Sequence, residues 1–101
     1  MTKQLNPVTP GEIILYEFLE PLEMTQNELA DALHISLSQI EEIINGKKAI
    51  TPEIALRLSR YFATSPEFWL NLQQRYDLKM TQRLLGAEIE KTVQPRNALF
   101  V

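Results

Sequence analysis

Thr25-Gln26-Asn27-Glu28-Leu29-Ala30-Asp31-Ala32-Leu33-His34-Ile35-Ser36-Leu37-Ser38-Gln39-Ile40-Glu41-Glu42-Ile43-Ile44-Asn45-Gly46 is the stretch whose punctuation decides the fold. It opens with a capping box, Thr25 and Glu28, and carries a second one, Ser36 and Gln39, eleven residues later. Leu29, Ala30 and Leu33 form the inward side of the first helix, and Ile40, Ile43 and Ile44 that of the second. Asn45-Gly46 stops the second helix, because glycine enters the left-handed conformation without steric cost. Only His34-Ile35 separates the two helical bodies. So tight a turn forbids antiparallel packing and forces a steep crossing, the helix-turn-helix arrangement. His34 is a non-glycine type that tolerates the positive φ such a turn wants.

The same punctuation extends in both directions. Upstream, Thr9-Pro10-Gly11-Glu12 offers a cap, a proline at the first helical position and a capping-box glutamate. Ile14, Phe18 and Leu22 follow at helical spacing, and Pro21 is expected to end that helix or sit in its exit. Downstream, Thr51-Pro52-Glu53 opens a fourth helix with Ile54, Ala55, Leu58 and Phe62 inward, and Ser65-Pro66-Glu67 a fifth with Phe68, Trp69, Leu72 and Tyr76 on one face. After Met80 the pattern fades. The expectation is therefore an all-α domain of five short helices over 9–80, an N-terminal arm over 1–8, and a frayed tail over 81–101 in which Ala98-Leu99-Phe100-Val101 is apolar enough to dock.

Bulk properties narrow the function. A chain of 101 residues holds one core, and 45% hydrophobic residues with 23% charged argue for a folded protein. No apolar run reaches a membrane span of about 20 residues, and no secretory signal follows Lys3. There are no cysteines, so disulfides and thiolate metal sites are excluded, and the cytoplasm is the expected compartment. One histidine, no phosphate-binding glycine loop and no metal-spaced cluster leave nothing for catalysis. No enzyme activity, cofactor, metal or small-molecule substrate is expected.

Docking geometry then assigns roles. The N-terminus of the second helix of such a motif enters the major groove of double-stranded DNA. Ser36, Leu37, Ser38 and Gln39 stand there, with Glu42 one turn on. Serine suits several bases, glutamine suits adenine, leucine meets a thymine methyl, and glutamate accepts from cytosine. Ser36 is equally an N-cap, and the two roles are compatible. Lys47 and Lys48 supply phosphate charge or are ordinary surface lysines. The net charge of −3 sits awkwardly with DNA: residues 1–46 carry one base against eight acids, and residues 47–101 nine bases against five acids. Glu41 and Glu42 add negative charge near phosphates, so weak non-specific binding and a modest salt slope are expected.

Thr25-Gln26-Asn27-Glu28-Leu29-Ala30, Ile40 and Ile43-Ile44-Asn45-Gly46-Lys47 resemble the phage-repressor (Xre/Cro) helix-turn-helix. Pro10-Gly11-Glu12-Ile13, Ala49-Ile50-Thr51, Ala55-Leu56-Arg57-Leu58 and Thr64-Ser65-Pro66-Glu67-Phe68-Trp69-Leu70-Asn71-Leu72-Gln73 with Tyr76-Asp77-Leu78 resemble the HigA antitoxins. The resemblance covers roughly residues 9–80. It implies a dimeric repressor of its own toxin–antitoxin operon, which binds an operator palindrome and neutralises a HigB-like, mRNA-cleaving toxin. It also implies that Gln26 and Asn45 contact phosphate, and Thr25 joins them in the expected DNA-binding set.

A palindrome is read by a two-fold dimer, so some apolar surface must build that interface. Phe68, Trp69, Leu72, Tyr76 and Leu78 are the candidates, with closure of the monomer core as the competing role for Trp69 and Leu72. A toxin has two candidate docking surfaces, the acidic face Glu12, Glu17 and Glu20 or the tail from Arg83 to Val101. Two other functions fit the same chain. One is a helix-turn-helix regulator without a toxin partner, and the other a protein-interaction module that has lost DNA binding.

Overall fold

The computed structural model describes residues 7–96; the arm before Pro7 and residues 97–101, with the apolar Ala98-Leu99-Phe100-Val101, lie outside the described residues. The described residues form five helices and no strand. Helix α1 spans residues 10–22, α2 is Gln26–Leu33, α3 is Leu37–Ile44, α4 is Pro52–Phe62 and α5 is Pro66–Thr92. Each begins where a short oxygen-bearing side chain takes an orphan backbone N–H. Thr9, Thr25 and Ser36 close full capping boxes, while Thr51 and Ser65 cap α4 and α5 with a hydroxyl alone.

The first helix is not regular. After one α-turn, Pro10–Ile13, it widens into a π-helical segment, Ile14–Leu19, before a closing turn, Glu20–Leu22. Pro21 explains the position. A proline clashes with the carbonyl four residues back and donates no bond to it, and the wider i→i+5 winding just upstream is compatible with both demands. The widening shifts the register. Leu19 (1% exposed) replaces Leu22 (58%) as the inward residue, whereas Ile14 stays buried as expected.

Three of the helix ends turn on non-glycine residues in the left-handed region, Glu23 (φ 54°), His34 (φ 60°) and Ala63 (φ 59°). Gly46 (φ 78°) supplies the same turn after α3. His34 thus fills the role its position in the helix-turn-helix demands, and its N–H closes on the carbonyls of Ala30 and Asp31.

The core is one cluster drawn from all five helices: Ile14, Leu19, Leu29, Leu33, Ile40, Ile43, Ile54, Leu58 and Trp69 are its main members. An aromatic group caps it at the α1–α4–α5 junction. Phe18 lies 4.7 Å from Phe62 and 5.0 Å from Trp69, ring centre to ring centre, in tilted arrangements that aromatic pairs favour.

The tail departs from expectation. Helix α5 runs through Gly86 to Thr92, so residues 81–92 are helix and not a frayed segment. At 27 residues it is about 40 Å long. It carries Leu78, Leu85 and Ile89, each 46–57% exposed. With about 100° of turn per residue these three lie along one stripe, an apolar face that the monomer leaves uncovered.

Candidate nucleic-acid interface

Helices α2 and α3 cross at the His34 turn, and both present capped N-termini. At α2, Thr25 Oγ1 accepts from the Glu28 N–H (3.0 Å) and Glu28 Oε1 from the Thr25 N–H (2.9 Å). Gln26, the first residue of α2, is half-buried beside that cap. At α3, Ser36 Oγ accepts from the Gln39 N–H (3.1 Å), and Gln39 Oε1 accepts from the Ser36 N–H (3.2 Å). Leu37, Ser38 and Gln39 are exposed, while Ile40, next in line, is buried. The free end of α3 is therefore a small, uncharged surface with an aliphatic knob.

The capping box changes what Gln39 offers. Its carbonyl oxygen already accepts from Ser36, so its amide N–H groups are the part free to contact a ligand. A donor of that kind suits a phosphate oxygen or a guanine edge, whereas a bidentate contact to adenine would also ask for the oxygen.

The far end of α3 carries the charge. Asn45 is its C-cap and its N–H donates to Glu41 O (2.9 Å). The Glu42 carbonyl accepts from both the Lys47 N–H (2.8 Å) and the Lys48 N–H (3.1 Å), folding the loop back onto the helix. Of the two glutamates, Glu42 is the one that meets a lysine: Lys48 Nζ lies 4.0 Å from its carboxylate. Glu41 is exposed. Both charges of the Glu42–Lys48 pair remain substantially solvated, so the contact is weak, but it offsets positive charge where phosphate would sit.

Two features fix α3 from behind. Gly11 on α1 sits so close that a Cβ there would fall 2.6 Å from Ile44 Cα and also collide with the carbonyls of Ile43 and Ile44. Arg57 on α4 donates from Nη1 to the Leu33 carbonyl (2.8 Å) at the α2–α3 turn, and Glu53 Oε2 holds its guanidinium at 2.9 Å. Neither contact can be read from local sequence. The Glu53–Arg57 pair is visible as an i,i+4 spacing, but its carbonyl target is a tertiary fact.

The candidate two-fold residues divide. Trp69 is 0% exposed and its Nε1 donates to Thr64 Oγ1 (2.7 Å). It closes the monomer core and has no area to offer a partner, which corrects its place among the interface residues. Leu72 and Tyr76 are half-buried, Leu72 against the core. Phe68 (39%) and Leu78 (57%) are exposed.

A short-turn pair of crossed helices, with an open second N-terminus and lysines at its exit, defines the class as a helix-turn-helix domain of the DNA-binding type. The helix-turn-helix family profile matches residues 15–69. The chain is 38% identical to antitoxin HigA-1 of Vibrio cholerae over 95% of its own length and 87% of that protein's. It is 49% identical to the HTH-type transcriptional regulator YbaQ of Escherichia coli over 72% of its length, a match spanning 65% of that relative. The structure of a HigA-family addiction module antidote protein from Coxiella burnetii superposes with a TM-score of 0.86 at 44% identity, covering 91% of this chain and all of the other. Pseudomonas aeruginosa antitoxin HigA, solved with the higBA promoter, superposes at 0.87 with 37% identity over 90% and 99% of the two chains.

This chain belongs to the HigA antitoxin family of Xre/Cro-like helix-turn-helix regulators, which are DNA-binding proteins and not enzymes. Among the described residues no helix is long and apolar enough to cross a membrane.

Proposed function

We propose that this protein is a dimeric repressor that binds a palindrome in its own promoter and neutralises the mRNA-cleaving toxin encoded beside it. The observation that carries the reading is the open, capped N-terminus of α3 with Lys47 and Lys48 at its exit, on a fold matching an antitoxin solved with its promoter. Ser36, Leu37, Ser38 and Gln39 would face base edges. Thr25, Gln26, Asn45, Lys47 and Lys48 would meet phosphates, with Glu42 restraining Lys48. Phe68, Leu78 and the flank of Tyr76 would contribute to the two-fold contact, continued by Leu85 and Ile89. Two recognition helices about 34 Å apart would then read half-sites one turn apart. A HigB-like toxin is the protein partner, and the acidic outer face of α1, with Glu12, Glu17 and Glu20 exposed, suits a basic one.

Fluorescence anisotropy with a labelled fragment of the chain's own promoter tests the DNA role. Preference for that fragment over scrambled DNA, with one dimer per site, is expected; equal binding to both would leave a protein-interaction module. Co-purification with the product of the adjacent short open reading frame tests the antitoxin role. A neighbour that neither binds nor is toxic would leave a regulator without a toxin partner.

A further inference from the structure

The loop of residues 45–50, which carries Lys47 and Lys48, is tied down at both ends. Its first half is bonded to the Glu42 carbonyl of α3. Its last N–H, that of Ile50, donates to Gln73 Oε1 of α5 at 2.8 Å, a partly buried bond across 23 positions of sequence. Ile50 itself is 3% exposed, so the bond is anchored on the core side. Gln73 does not choose its orientation alone. Its Nε2 donates to Asp77 Oδ1 at 3.0 Å, and an ionised carboxylate only accepts. Asp77 therefore fixes which end of the amide faces Ile50. A reversed amide would set Nε2 against the Ile50 donor and Oε1 against the Asp77 acceptor. Lys48, Ala49, Gln73 and Asp77 line one small cavity together with Gly11, so the loop rests directly on α5 and the start of α1.

We propose that Gln73, oriented by Asp77, is a positioning residue for the Lys47–Lys48 loop, and that this relay ties the long helix α5 to the DNA backbone contact. It rests on the DNA-binding reading above and deepens it: the helix that carries the two-fold contact also sets where the phosphate-binding lysines stand. Gln73 touches no DNA itself. Its effect is to hold the loop in the shape in which both lysines reach the backbone, so that ordering the loop is not left to the moment of binding.

The test uses two variants of the full chain, and neither changes its net charge. Gln73→Leu removes the acceptor for Ile50. The double variant Gln73→Glu with Asp77→Asn exchanges donor and acceptor between the two positions, so that a carboxylate at 73 accepts from both the Ile50 N–H and the amide at 77. For Gln73→Leu, promoter affinity falls about tenfold and the slope of log K against log salt shrinks by about one to two, the contribution of the two lysines. The Ile50 and Lys48 amides exchange faster in the free protein. The double variant returns affinity to within threefold of wild type and restores slow exchange at Ile50. Wild-type affinity and slope in Gln73→Leu, or a double variant as weak as the single one, overturns the relay. Should Gln73→Leu fail to fold, the double variant decides alone: slow Ile50 exchange with near-wild-type affinity supports the relay, and loss of either overturns it. A wild-type chain that ignores its promoter overturns the DNA reading instead, a result distinct from an intact DNA binder indifferent to Gln73.

Discussion

Gly11 and Ile44 meet backbone to backbone: the first turn of α1 rests on the end of α3 with no room for a methyl group between them. The neighbours of that methyl would be carbonyl oxygens and a Cα, which cannot rotate away. Gly11→Ala should therefore destabilise the fold by about 1–3 kcal/mol through overpacking, measured by urea unfolding. A Cβ added at Gly86, inside α5, would meet Gln82 Cβ at an ordinary 3.9 Å. Gly86→Ala should gain about 0.5–1 kcal/mol from helix propensity. A neutral Gly11→Ala would show that α1 and α3 are not held by this contact.

Trp69 and Phe68 are ring neighbours, 4.8 Å apart, the first fully buried and the second exposed. Trp69→Ala empties the core and leaves Thr64 without its donor, and should cost about 3–5 kcal/mol. Phe68→Ala removes a ring already 39% exposed and should leave the monomer folded while lowering the dimer fraction in analytical ultracentrifugation. A dimer unaffected by Phe68→Ala would move the two-fold contact elsewhere on α5.

Glu42 holds Lys48 at 4.0 Å. Replacing it by glutamine frees that lysine and removes a negative charge beside phosphate. Non-specific DNA affinity of Glu42→Gln should rise and its salt slope steepen by about one, read by anisotropy across a salt series. An unchanged slope would place Lys48 away from the DNA backbone.

Ser36 and Ser38 separate capping from base reading. Ser36→Ala loses the α3 cap and should cost about 1 kcal/mol in thermal unfolding, with promoter binding reduced as a consequence. Ser38 takes no part in that capping box and is exposed. Ser38→Ala should leave the melting curve unchanged while lowering preference for promoter over scrambled DNA. Equal preference in both proteins would remove Ser38 from the reading set.

The helix starts were legible because each is a local event. Thr9, Thr25 and Ser36 bond three residues ahead, and so do Thr51 and Ser65, a separation that sequence displays directly. The buried face of the helix-turn-helix followed from spacing for the same reason. What escaped was set by partners far along the chain. Leu22 looked inward until the π-helical winding ahead of Pro21 rotated Leu19 into its place. Gln73 stands in the sequence only as the end of the Thr64–Gln73 string, because its acceptor role depends on Ile50, 23 positions away. The length of α5 is not legible because the apolar residues of its second half, Leu84, Leu85 and Ile89, stay exposed and mark no buried face. Of the candidate site, the exposure of Leu37, Ser38 and Gln39 was foreseeable, whereas the loss of Gln39's oxygen to the cap was not.

The uncovered half of α5 behaves as a ruler. Along it each residue adds about 1.5 Å and 100° of rotation, so Leu78, Leu85 and Ile89 share a stripe only at their present spacing. Inserting one residue after Leu78 would swing the outer pair a quarter-turn and more away from the inner leucine, although composition, charge and helix propensity would hardly change. Inserting seven would restore the alignment about 10 Å farther out. With the proposed two-fold contact on this stripe, the segment would be constrained in number more than in kind: exchanges between leucine, isoleucine and methionine would keep the alignment, and a single-residue insertion would break it.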